Sequence, residues 1–175
     1  MNEGATNEGV NILVMSDTHG NVKAVEQLLE SYLATGFVSH VIHLGDHTKD
    51  IIPFAANDKE KFHITSGNTD MENPDYKERV IEIAGKRIFI THGHKYGVKT
   101  DYFSIKCMVE DENVDICLFG HSHNPISFES NGTFFLNPGS TTYPHPDTNA
   151  GYALLRISED GEISGKLLTY QKNSL

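Results

Sequence analysis

The 175-residue sequence has little of what would tie it to a disulfide scaffold, a membrane or a long polyanion. It holds two cysteines, Cys107 and Cys117, in no CxxC arrangement, and no tryptophan. A disulfide framework is excluded, and a reducing cytoplasm is the expected compartment. No run approaches the roughly 18 apolar residues of a membrane span. Met1 to Gly9 has neither a cationic start nor an apolar stretch, so it does not read as a secretory signal, and no membrane partner is expected. Basic residues are few: Lys plus Arg number 14 against 24 Asp plus Glu, a formal charge of −10. A broad basic face for long nucleic acid is therefore not expected. A Gly-x-Ser-x-Gly elbow and a Walker loop are also missing, which removes serine hydrolases and P-loop enzymes.

What is present is a globular composition, 38% hydrophobic and 22% charged, with ten histidines. Residues 1–9 read as a frayed tail and 10–175 as a single domain, with no repeat or linker between them. Val10 to Met15 is a buried-strand run. From Val22 the apolar positions Val25, Leu28, Leu29, Tyr32 and Leu33 share a helical face, with Asn21 as N-cap and Gly36 as stop. Short strands are expected at His40–Leu44, Phe62–Thr65 and Asp115–Phe119. A hairpin joins 79–83 to 87–91 at Gly85-Lys86, and a second helical face runs through Tyr102, Ile105, Met108 and Val109. The last third is mostly β, with strands near 126–129, 133–136, 152–157 and 163–170 and a turn at Asn131-Gly132. Strands alternating with helices, followed by β-structure, predict an α/β fold of two packed sheets with helices outside.

Five of the expected strands end in side chains that bind metals: Asp17-x-His19, Gly45-Asp46, Gly67-Asn68, His92-Gly93-His94 and Gly120-His121-Ser122-His123. Loops at the carboxyl ends of strands in open α/β sheets gather at one edge, where ligands bind. Carboxylate, amide and imidazole donors without thiolate suit Mn, Fe, Ni, Co or Zn. Each cluster alone is as readily a turn or a cap; it is the conjunction of all five that points to a metal site. Among the other histidines, His43 reads as packed within its strand. His40, His63 and His145 read as structural or solvent-facing, and His47 is equally a surface or a site residue. Asp70 reads first as a turn residue, with orienting a ligand as its alternative, and Asn137-Pro138-Gly139-Ser140 reads first as a turn.

In order and spacing these motifs resemble the calcineurin-like metallophosphoesterase superfamily, and with the compact length and Asn137-Pro138-Gly139-Ser140, its small YfcE-type phosphodiesterase branch. The resemblance covers about residues 10–157. It implies a four-layer α/β/β/α sandwich of two mixed β-sheets flanked by helices. It also implies two divalent transition metal ions, manganese first, with Ni, Fe, Co or Zn as alternatives. One ion would be held by Asp17, His19 and His123 and the other by Asn68, His92 and His121, with Asp46 bridging. The implied reaction is hydrolysis of a small phosphodiester by in-line attack of a hydroxide bridging the metals, with Asp46 and His94 as catalytic residues and Asn68 and His94 on the substrate. Larger relatives place a histidine after the Asn ligand; here the position is Thr69, which cannot protonate a leaving group near neutral pH and so favours diesters over monoesters. The alternatives are a phosphomonoesterase and a non-catalytic interaction scaffold like the related retromer subunit. Exposed β-edges in the last third could support a homodimer.

Overall fold

A computed structural model describes residues 9–171; the expected tail, apart from Gly9, lies outside them. The chain order is β1 (Val10–Met15), α1 (Val22–Leu28), β2 (His40–His43), α2 (Ile52–Ala55), β3 (Phe62–Ile64), β4 (Arg79–Ile83), β5 (Lys86–Ile90), α3 (Phe103–Glu112), β6 (Ile116–Leu118), β7 (Ile126–Ser130), β8 (Thr133–Asn137), β9 (Gly151–Ile157) and β10 (Ile163–Thr169). Two five-stranded mixed sheets form, ordered β10-β9-β1-β2-β3 and β4-β5-β6-β8-β7. With helices on the outer faces, this is the four-layer α/β/β/α sandwich expected.

The period-2 geometry of strands explains the layering. On β1, Ile12 and Val14 enter the core between the sheets, where they meet Ile88, Ile90, Ile116 and Leu118. The alternate residues Leu13 and Met15 pack outward with Val25 and Leu28 of α1. On the other sheet, Phe89, Cys117 and Phe135 face outward and are covered by Ile105 and Val109 of α3. Both faces of the central strands are thus buried, which is why β1 is apolar without alternation. Burying each such large side chain stabilises by about 1.5–3 kcal/mol relative to exposure.

Asn21 caps α1, its side chain accepting from the Ala24 N–H at 3.2 Å. The helix continues as a π-helical turn, Leu29–Leu33, before Gly36 at φ +75° ends it. The β4–β5 hairpin turns one residue earlier than expected. Ile83 pairs with Lys86, so the loop is Ala84-Gly85, with φ of 50° and 72°. A two-residue loop with both φ positive matches strand twist, and that constraint overrides alanine's reluctance to adopt the left-handed region. The Asn131-Gly132 turn adopts the same form, with φ of 49° and 82°. Among the described residues no helix is long and apolar enough to cross a membrane.

Candidate metal centre

β1, β2 and β3 are mutually parallel, as are β5, β6 and β8. Their carboxyl ends therefore open on one edge of the sandwich, and the five polar clusters collect there. Asp17, His19 and His123 each offer a donor atom to one point, and Asp17, Asp46 and His92 to a second. Asp46 faces both groups: its Oδ2 lies 3.7 Å from His19 Nε2 and its Oδ1 lies 3.4 Å from His92 Nε2. His121 Nδ1 stands 3.2 Å from His92 Nε2. The rings form two groups on either side of the carboxylates. His47, His123 and Tyr143 surround His19, and His94 and His121 surround His92.

Hydrogen bonds behind the rings fix which nitrogen points inward. His92 Nδ1 donates to the Leu44 carbonyl at 2.7 Å, and His123 Nδ1 donates to the Tyr143 carbonyl. Each Nε2 is thereby left as a lone pair directed into the cluster, the arrangement that orients metal-binding imidazoles. His123 Nε2 then meets Asp17 Oδ1 at 2.9 Å, acceptor facing acceptor. Neither Asp17 Oδ1 nor His19 Nε2, both buried, has a hydrogen-bond partner. Either a second proton on His123 or a cation must lie in that gap. The proton option accounts for the raised pKa of His123, whose first cause is its contact with Asp17. Burial alone would raise Asp17, but the adjoining His123 and His92 rings outweigh it and hold the carboxyl below its usual range. Burial, then His92, pushes His121 down to about 4, and burial lowers His19. A carboxylate and unprotonated imidazoles are the ligating forms. The residues present fit a divalent cation.

The backbone is bent to make this cluster. Of nine residues other than glycine at positive φ among the described residues, six lie here: Asp17, His19, Asp46, His47, His121 and His123. Such conformations cost of order 1 kcal/mol or more each and persist where surrounding contacts over-determine them. Two glycines serve by size rather than by conformation. A Cβ on Gly67 would stand 2.1 Å from Asp46 Oδ1, and one on Gly120 would stand 2.1 Å from Ser16 Oγ and 2.9 Å from Asp17 Oδ2.

Residues that the sequence ranked low hold the bent loops in place. Asp70 accepts four hydrogen bonds: from the Asp46 N–H (2.9 Å), the Gly67 N–H (2.8 Å), and the Thr48 N–H (2.8 Å) and hydroxyl (3.1 Å). It locks the Asp46 loop to the Gly67 loop rather than serving one turn. Asp50 accepts from the Thr18 hydroxyl and the Gly20 N–H at 2.8 and 2.7 Å, fixing the Asp17–His19 loop. Fully buried His43 accepts from the Gly45 N–H and stands 3.2 Å from the Thr18 hydroxyl, which makes it the packed residue expected. Asn137 donates to the Gly120 carbonyl at 2.8 Å, and Ser140 donates to the Asp17 carbonyl at 2.7 Å. The Asn-Pro-Gly-Ser turn thus supports the centre from beneath. A spacing pattern gave no sign of Asp50; the only hint for Asp70 was its place two residues after Asn68.

Asn68 is exposed beside the cluster, as is Thr69, whose N–H donates to Asp46 Oδ1 at 3.1 Å. His94 is half-buried, its ring 5.4 Å from that of His92 and its Nδ1 without a partner. It lines a cleft of about 740 Å³ with Gly67, Tyr76 and Glu78. A second cleft, of about 510 Å³, runs past His47, Thr69 and Met71. His40 and His63 bond each other at 3.3 Å, away from the centre, and His145 is exposed.

Known proteins match this sequence and fold. A model of the calcineurin-like phosphoesterase superfamily domain matches residues 10–160. The chain is 31% identical over 152 residues to a Bacillus subtilis (strain 168) protein described as the probable metallophosphoesterase YsnB, covering 86% of each chain. The crystal structure of a predicted phosphoesterase from Streptococcus pneumoniae TIGR4 superposes with a TM-score of 0.71 at 27% identity, covering 93% of this chain and 98% of that one. Vacuolar protein sorting 29 from Cryptosporidium parvum superposes with a TM-score of 0.72 at 23% identity, covering 94% of this chain and 100% of that one.

Proposed function

The chain belongs to the calcineurin-like phosphoesterase superfamily, and from that premise we propose that it is a metal-dependent phosphodiesterase working through two divalent ions, manganese the first candidate. The observation that carries this reading is the two-sided position of Asp46. Its oxygens face His19 on one side and His92 on the other, between donor groups that converge on two points. In this reading Asp17, His19 and His123 hold one ion, Asn68, His92 and His121 hold the other, and Asp46 bridges.

Such a pair of ions would supply hydroxide at neutral pH and neutralise charge building on the phosphoryl oxygens, most of what in-line phosphoryl transfer requires. The chain's own residues do the rest. Tyr143 and Leu44 carbonyls hold His123 and His92 in the ligating tautomer, and Asp70 keeps Asp46 and Gly67 in contact distance. In this reading Asn68, exposed beside the cluster, touches a phosphoryl oxygen, and His94, on the cleft, donates a hydrogen bond to the substrate. With Thr69 where larger relatives have histidine, diesters whose leaving groups need little protonation are the preferred substrates.

Vacuolar protein sorting 29 has this fold, so a scaffold role is the second reading. The two convergent donor groups and the costly loop conformations that assemble them favour the enzyme. The deciding experiment is hydrolysis of an aryl diester and the matching aryl monoester after chelation, then with Mn²⁺, Ni²⁺, Zn²⁺ or Mg²⁺ restored, alongside Asp46→Ala. Metal-dependent diesterase activity that the variant loses by at least about a hundredfold is expected. Folded protein that is silent with every metal would move the assignment to the scaffold, and a higher kcat/KM for the monoester would overturn the diester preference.

A further inference from the structure

Five large apolar side chains are conspicuously exposed among the described residues: Val22, Phe37, Met71, Phe103 and Tyr143. Tyr143 is the one whose ring touches the metal centre. It is 60% exposed, yet its centroid lies 5.3 Å from that of His19, with the planes tilted by 54°. Its backbone is pinned on both sides. The Tyr143 N–H donates to Ser140 Oγ at 2.9 Å, and the carbonyl receives the His123 Nδ1–H. Ser140 is tied in turn to the Asp17 carbonyl, and the neighbouring Thr142 hydroxyl to the Thr18 carbonyl at 2.7 Å. The backbone that carries the ring is therefore held on the rim by bonds to the metal-binding loops, while the ring itself stays largely open among the described residues.

We propose that Tyr143 is a specificity-determining residue, its open ring stacking on a planar aromatic group, a nucleobase or an aryl ring, carried by the substrate beside the scissile phosphate. This rests on the phosphodiesterase reading and deepens it. A tyrosine with a fixed backbone has two side-chain torsions left to order, so stacking gains area at small entropic cost. Base–aromatic stacking on a tyrosine is commonly worth about tenfold in affinity or more. The His19 side of the centre is thereby marked for the ring-bearing half, and the 740 Å³ cleft beside His94 remains for the other half of the diester. Among the described residues the Tyr143 side chain makes no hydrogen bond, so removing it leaves the His123 and Ser140 contacts, which are made by the backbone.

The test compares wild type, Tyr143→Ala and Tyr143→Phe, each loaded with zinc, binding three methylphosphinate mimics of methylphosphonate esters, in which a methylene replaces the ester oxygen so that no P–O–C bond is left to cleave: mimics of the phenyl, the uridin-5′-yl and the methyl ester. Binding is followed by calorimetry and by NMR shifts of the Tyr143 ring protons. Tyr143→Ala is expected to weaken the phenyl or the uridinyl mimic about tenfold, leave the methyl mimic within twofold and leave zinc affinity unchanged; Tyr143→Phe should match wild type. Loss confined to the uridinyl mimic assigns a nucleobase, and equal loss for both rings assigns any aromatic. Equal affinity of wild type and Tyr143→Ala for both ring-bearing mimics overturns the stacking role, while metal-loaded wild type still hydrolysing aryl diesters would keep the phosphodiesterase reading. Wild type that neither binds any of the three mimics nor hydrolyses a diester sinks both.

Discussion

Asp70→Asn removes one negative charge and one acceptor oxygen from the clamp between the Asp46 and Gly67 loops. In the native side chain Oδ2 serves the Asp46 and Gly67 N–H groups and Oδ1 serves the Thr48 N–H and hydroxyl. An amide keeps one oxygen, so whichever way it turns, its NH₂ faces at least one backbone N–H. If the oxygen stays on Asp46 and Gly67, the Thr48 N–H loses its acceptor while its hydroxyl can rotate to accept. One charge-assisted bond lost with its donor left without a partner costs about 1.5–3 kcal/mol, and the remaining bonds weaken as the charge goes. A total near 3 kcal/mol corresponds to a fall in Tm of about 6–12 °C for a domain of this size. Circular dichroism melts of the metal-free protein measure it. Because Thr48, two residues after Asp46, is then released and the bonds to Asp46 and Gly67 weaken, metal affinity should fall as well, by about tenfold or more, read by competition with a chelating dye. A variant melting within 2 °C of wild type with unchanged metal affinity would refute the clamp.

Two other perturbations test the architecture. Gly67→Ala should fold but lose metal binding and activity, because its Cβ would need the space 2.1 Å from Asp46 Oδ1; wild-type metal affinity in that variant would show that the loop relaxes freely. Burial pushes both His43 and His63 down to about 4, with the charges of His40 and Arg79 adding to the effect at His63. Between about pH 6.5 and 4 the unfolded chain binds protons that these side chains refuse in the fold, so the stability they contribute must fall as pH drops through that window and change no further below it. The urea midpoint of metal-free protein should be lower at pH 5 than at pH 7.5, with a shallower drop in His63→Asn; a midpoint independent of pH would refute this.

Much of the fold was legible because its signals are local. β1, α1 and the Asn131-Gly132 turn follow from apolar runs, helical spacing, a cap and residues tolerant of positive φ. The β4–β5 turn was misplaced by a residue because Ala84 carries no local mark of the left-handed conformation that strand pairing imposes on it. The metal-type donors were visible one by one at strand ends, since ligand chemistry is written in side-chain type.

By itself the sequence determined the order of the strands and of α1 and α3, though not α2, together with the placing of donors at five strand ends and the absence of a thiolate or basic-groove alternative. Only the tertiary structure decided that Asp46 faces two donor groups, that Asp70 and Asp50 hold the loops rather than bind a ligand, and that Tyr143 stands open against His19. The reason is physical: a residue's chemistry belongs to the residue, whereas its partners come from contacts between segments distant along the chain. Asp50 and Thr18, or Tyr143 and His19, meet only when the parallel strands bring their ends to one edge.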